Sequence, residues 1–159
     1  MRFAGIAVKA GTIHMAVVER DAGQDGVGIA VELAFSRLSP RPGSLTAPVL
    51  RELKEQVQQE IRDWDIQSIT LVDTTKYVQW KYADAYARVL SISAVMYGAA
   101  EADLPYVEVK PSVIGKYLLA PKLETLDPAL LGFSKAPKYW TTGGFEAYAA
   151  AAFGARPAA

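Results

Sequence analysis

The chain has 159 residues, with 17 basic and 17 acidic side chains, one histidine and no cysteine, an isoelectric point near 6.6 and a mean hydropathy of +0.10. A hydrophobic share of 51% excludes wholesale disorder, and no apolar run approaches the ~18 to 20 residues that span a bilayer, so one soluble domain over residues 1–159 is expected. Without cysteine there are no disulfides, thiolate metal sites or Cys nucleophile, and zero net charge leaves no global field to attract a polyanion.

The opening MRF leads straight into an apolar segment rather than a secretory signal, which points to a cytoplasmic setting. Phe3 to Val8 (FAGIAV) has the continuous apolarity of a strand covered on both faces. Gly11 turns the chain, and Thr12 to Glu19 predicts a second strand antiparallel to the first. Asp25-Gly26 is the strongest hairpin signal, ahead of a third strand from Val27 to Phe35. Ser36 to Pro48, with three prolines and Gly43, predicts a loop carrying Arg37 and Arg41.

Leu50, Leu53, Val57 and Ile61 then recur at the spacing of a helix that buries one face. Ile66 to Val72 is a fourth strand; the helix before it implies a crossover and parallel pairing with the first. Lys81 to Ala100 predicts a long helix with Tyr82, Ala85, Tyr86, Val89, Ile92, Val95, Met96 and Ala99 along one face. Leu90, Ile92 and Val95 point in different directions around it, so the same helix is expected to lie between the sheet and a second copy in a twofold dimer. Tyr106 to Val109 is a short fifth strand, and Pro111 opens a brief helix through Leu119. Ala120 to Thr142 is too long for a plain connector. An alanine-rich helix from Gly143 to Phe153 follows, with ARPAA as a frayed tail.

Nucleic-acid contact, if made, must come from local clusters. TTKYVQWKY, Thr74 to Tyr82, interleaves Lys76 and Lys81 with Tyr77, Trp80 and Tyr82. Cations there can neutralise phosphates while aromatic rings stack on unpaired bases; Lys76 and Tyr77 are the contact candidates, and Trp80 and Tyr82 are expected to anchor the long helix in the core. Further on, Lys110, Lys116, Lys122, Lys135 and Lys138 outnumber Glu124 and Asp127. KAPKYWTTGG, Lys135 to Gly144, is a second basic and aromatic patch, expected to face the same cleft from the far side. His14 sits among apolar residues as a packed strand position, and a lone histidine without cysteine gives little support to Ser-His-Asp catalysis or a transition-metal site.

Three antiparallel strands, then helix, strand, helix, strand and helices describe an α/β chain with a mixed five-stranded sheet and helices on both faces. In that order, and in GIAVKAGTIHMAVV, ITLVDTTKYVQW and GGFEAYAAAAFGA, the sequence resembles the RuvC-type Holliday-junction resolvases of the ribonuclease H-like superfamily. The resemblance implies that fold, a dimer, branched or structured DNA as partner, and a magnesium site built from carboxylates on the first strand, the fourth strand and the last helix. Two-metal phosphodiester hydrolysis needs such oxygen ligands at one point.

This chain departs from the pattern. Ala7 stands where the first-strand aspartate is implied and Gly143 where the first aspartate of the last helix is, while Asp73 and Glu146 match the other two. Asp73 and Glu146 are therefore the candidate catalytic and metal-ligating residues, holding at most a loosely bound, largely hydrated magnesium. Lys9 would repel a cation if it pointed inward. Each carboxylate also has a plain structural role: Asp73 as a turn acceptor, Glu146 as a first-turn partner of free helix amides. Three functions stay open: a protein that binds branched DNA with lost or weak nuclease activity, an active magnesium-dependent endonuclease, and a protein-interaction module of the same fold.

Overall fold

The computed structural model describes residues 1–21, 31–40, 46–73 and 81–157. Five strands form one sheet: β1 (Arg2–Lys9), β2 (Thr12–Glu19), β3 (Val31–Leu38), β4 (Ser68–Val72) and β5 (Tyr106–Val109), in spatial order β3-β2-β1-β4-β5. β1 is central. It pairs antiparallel with β2, placing Ala7 opposite His14, and parallel with β4, placing Ile6 beside Leu71. β5 adds parallel to β4, as the crossover before each of these strands requires.

The period of two along each strand sorts side chains into two cores. Ala4, Ile6 and Val8 of β1, with Ile13, Met15 and Val17 of β2, pack against α1 (Ala47–Asp63) and α2 (Tyr82–Glu101). On the opposite face Ala7, Ala16, Val18 and Val72 meet α3 (Pro111–Tyr117) and α4 (Gly144–Gly154). α1 buries Val49, Leu53, Val57 and Ile61, the stripe its spacing predicts. α4 is sheathed in alanine and lies directly on β1: a Cβ built on Gly5 would sit 2.0 Å from the Ala147 carbonyl oxygen and 2.1 Å from the Ala151 amide nitrogen. Only a residue without a side chain admits that approach.

Several expectations are corrected. β3 continues through Arg37 and Leu38, beyond the predicted end at Phe35, because His14 and Ile13 of β2 pair with those residues. The Asp25-Gly26 turn and the predicted strand start at Val27 lie outside the described residues. Ala120 to Thr142 is organised by three short 3-10 turns, Leu123–Thr125, Pro128–Leu131 and Trp140–Thr142, with Leu123, Leu126, Leu131 and Trp140 buried. The tail begins docked rather than frayed: Ala155 is buried, and its carbonyl accepts a hydrogen bond from Arg20 Nη1 at 2.6 Å.

The residues expected to share one face of α2 divide between two, one buried and one exposed. Ser91, Ala94, Val95, Gly98 and Ala99 are buried, whereas Tyr82, Tyr86, Val89, Met96 and Tyr97 are exposed. Tyr82, at 83% exposure, is not a core anchor; its ring stacks on Tyr86 with centroids 6.1 Å apart. The small residues of the buried stripe let α2 lie close to α1 and the sheet, which turns the large side chains outward. Among the described residues no helix is long and apolar enough to cross a membrane.

Candidate functional site

In sheets with parallel strands, ligand sites form beyond the carboxyl ends of the strands, where the connections diverge. Here β1 and β4 end side by side, and a cleft of about 1180 Å³ opens over them. Val8, Lys9 and Ala10 come from the end of β1, and Val72 and Asp73 from the end of β4. Asp84 and Arg88 of α2, Lys110 to Ser112 at the start of α3, Pro121 to Thr125, and Phe145 and Glu146 of α4 complete the walls. Its charges balance, with Lys9, Arg88, Lys110 and Lys122 against Asp73, Asp84, Glu124 and Glu146. Recognition therefore rests on where each charge sits.

Asp73 follows the last residue of β4, where its backbone N–H donates to the Val109 carbonyl at 2.8 Å, and it is half-buried. Glu146 lies in the first turn of α4. The structure thus brings both predicted carboxylates to one cleft, but it gives Glu146 a partner that the sequence reading missed. Gly5, Ala7 and Lys9 share the sheet face beneath α4, and the Lys9 ammonium reaches Glu146 Oε1 at 2.5 Å. The Glu146 side chain is 14% exposed and that of Lys9 45%, so the carboxylate is the more sheltered member of the pair, and both residues line the cleft. On the other wall, the Arg88 guanidinium donates to the Val8 carbonyl.

The two positions where aspartates are implied are closed. Ala7 is 1% exposed, under α4 and across from His14. Gly143 has φ +104°, and a Cβ there would lie 2.8 Å from His14 Cγ and Cδ2; any side chain would be both strained and obstructed. His14 is buried, and its Nδ1 has no hydrogen-bond partner among the described residues. Burial, then the positive charges of Arg37 and Lys9, lower its pKa from 6.5 to about 4.

Because the unfolded chain binds the His14 proton near pH 6.5 and the folded one only near 4, stability must fall as pH drops through that window. The denaturant midpoint of the wild type is expected to decline more steeply between pH 6.5 and 4 than that of His14→Gln. Parallel declines would contradict a buried neutral imidazole.

The other predicted contact residues scatter. Lys110 lines the cleft. Lys81 is exposed just before α2, and Lys116 is exposed in the last turn of α3. Lys135 and Lys138 are exposed, and Lys138 Nζ stands 4.9 Å from the Tyr139 ring centroid. None of these four lines the cleft, and Lys76 and Tyr77 lie outside the described residues. The segment from Lys135 to Gly144 leans instead on β3 and α4, with Tyr139 stacked on Phe35 and Trp140 on Tyr148. Burial of Trp140 holds it there, so the far wall is made by Pro121 to Thr125.

No family model matches the chain, and no curated protein matches it. Solved structures do. RuvC of Thermus thermophilus superposes with a TM-score of 0.78 at 19% identity, covering 96% of this chain and 92% of that one. The same organism's RuvC in complex with Holliday junction substrate gives 0.75 at 20% identity, over 96% and 90%. The yeast mitochondrial Holliday junction resolvase Ydc2 gives 0.63 at 10% identity, over 94% and 74%. The fold is that of RuvC. It is a ribonuclease H-like α/β fold with the antiparallel-then-parallel sheet described above.

A RuvC-like fold implies a divalent metal held by carboxylates at the ends of β1 and β4. The residues present offer too few donors to hold one tightly. Ala7 and Gly143 offer no side-chain donor, and the nearer oxygen of Glu146 is taken by Lys9. Among the described residues no group of three or more His, Cys, Asp or Glu side chains converges to hold an ion.

Proposed function

We propose that this protein binds branched DNA of the four-way-junction kind and cleaves it weakly or not at all. The observation that carries the reading is the cleft at the ends of β1 and β4, with Lys9, Arg88, Lys110 and Lys122 around it, on a fold whose solved neighbour is a RuvC bound to Holliday junction substrate. Weak or absent cleavage is supported by Ala7 and Gly143 at two implied ligand positions and by the Lys9–Glu146 pair at a third. Asp73 and Glu146 keep the places of catalytic carboxylates, and any magnesium they take is held loosely. Lys81, Lys116, Lys135 and Lys138 are assigned to backbone phosphates outside the cleft, and Lys76 and Tyr77 to phosphates and unpaired bases.

The functional unit in this proposal is a twofold dimer through α2. Its exposed residues Tyr82, Tyr86, Val89, Ser93, Met96 and Ala100 recur at alternating steps of four and three, the spacing of a helix that packs along another helix. The stripe carries no charge, so the same surface on a second copy meets it without repulsion, as an isologous contact requires.

Titration of a labelled four-way junction and a linear duplex, over a series of salt concentrations, tests the reading. The junction is expected to bind more tightly, with log affinity falling against log salt at a slope of about −2 or steeper. Incubation with magnesium or manganese is expected to yield little or no cut product. No junction binding at low salt would remove nucleic acid as the partner, and efficient cutting abolished by Asp73→Asn would reinstate the metal-dependent endonuclease.

A further inference from the structure

The cleft contains a charge arrangement that the metal-site expectation does not explain. A sheltered carboxylate at the first turn of α4 holds a cation at 2.5 Å, and that cation is covalently part of β1. In a metal-dependent phosphodiesterase the order of charge runs carboxylate, cation, phosphate. The first two members of that series are present here with an ammonium as the second.

We propose that Lys9 is a built-in cation standing in for a divalent ion, gripping a backbone phosphate of the bound nucleic acid from its place against Glu146, so that strand capture needs no metal. The inference rests on the junction-binding reading and goes beyond it by naming the group that replaces the metal.

Three observations carry it. The period of two along β1 puts Lys9 on the α4 face, in line with Gly5 and Ala7, so its direction is set by the strand rather than by side-chain chance. Gly5 lets α4 settle onto β1, which brings Glu146 within reach of Lys9. The exposure is unequal: the Glu146 side chain is nearly covered while that of Lys9 is about half exposed, and Lys9 lines the cleft. An ammonium has three donors; one is engaged by Glu146, which leaves two for a ligand in the cleft that Lys9 lines together with Lys110 and Arg88.

The same substitution explains binding without efficient cutting. An ammonium can fix a phosphate oxygen by charge-assisted hydrogen bonds. It does not coordinate a water and lower its pKa toward neutrality, as a divalent ion does. Glu146, neutralised by Lys9, keeps the lysine oriented instead of serving as a metal ligand.

The test compares wild type, Lys9→Met and Lys9→Arg in junction titrations, once in EDTA and once in magnesium. Melting temperatures confirm that the variants fold. Wild-type affinity is expected to be the same in both conditions, Lys9→Met about tenfold weaker in both, and Lys9→Arg close to wild type. Wild-type binding that appears only with magnesium, or Lys9→Met binding like wild type in EDTA, overturns the inference while leaving junction binding intact. Failure of all three forms to bind at low salt overturns the functional reading and this inference with it. Manganese relaxation measured on the free protein supplies an independent readout: tight manganese binding by the wild type in this cleft would also overturn the proposal.

Discussion

Gly5→Ala is expected to lower the unfolding free energy by about 3 kcal/mol or more, measured by chemical denaturation. The added methyl would sit 2.0 Å from the Ala147 carbonyl oxygen, 2.1 Å from the Ala151 amide nitrogen and 2.8 Å from the Ala151 Cα. All three are backbone atoms, so no rotamer change and no trimming of neighbouring side chains relieves the overlap. Either α4 lifts off the sheet, or β1 shifts against β2 and β4. Lifting α4 also carries Glu146 away from Lys9, so the variant that remains folded is expected to lose junction affinity. A loss of less than ~1 kcal/mol would mean that α4 does not rest on β1 as closely as described.

Val89→Glu combined with Met96→Glu is expected to convert a dimer into a monomer of 17.2 kDa in sedimentation equilibrium. In a twofold contact each substitution occurs twice, placing four carboxylates at an interface where both wild-type residues are exposed and apolar in the single chain. Burying unpaired carboxylates costs several kcal/mol, which raises the dissociation constant about a thousandfold or more. Both positions face solvent in the monomer, so the chain itself should keep its stability to within about 0.5 kcal/mol. Junction affinity is expected to fall as well, because a bivalent grip becomes a single one. A wild type that sediments as a monomer at micromolar concentration ends the proposal for α2.

Much of this architecture is legible in the residues. The bounds of β2 and β5, the parallel pairing of β1 with β4 and the stripe of α1 follow from apolar patterning. What escaped is what patterning does not encode. Hydrophobic periodicity shows that α2 is apolar on more than one side, but not which side meets the sheet; small residues at Ala94, Gly98 and Ala99 take that place, leaving the tyrosines outside. Trp140 and Lys135 share a basic and aromatic segment, yet burial of the indole beside Phe133 and Tyr148 decides where the lysine ends up.

The site divides in the same way. Asp73 and Glu146 could be matched to carboxylate positions by resemblance, and they do line one cleft. Lys9 could be seen only as a residue that would disfavour a metal. Its parity with Gly5 and Ala7 was available in the sequence, but its contact depends on the height of α4 above the sheet. That height is a tertiary distance, set by Gly5 and the alanines from Ala147 to Ala151.

The seating of α4 on β1 has an outcome for synthesis. Residue 5 leaves the ribosome long before residues 147 and 151, which cover it. Until then one side of the nascent sheet has no lid, and contacts of such long sequence separation form slowly. The growing polypeptide therefore carries a sticky half-built surface until α4 is made, a stage at which chaperone capture or aggregation competes with completion.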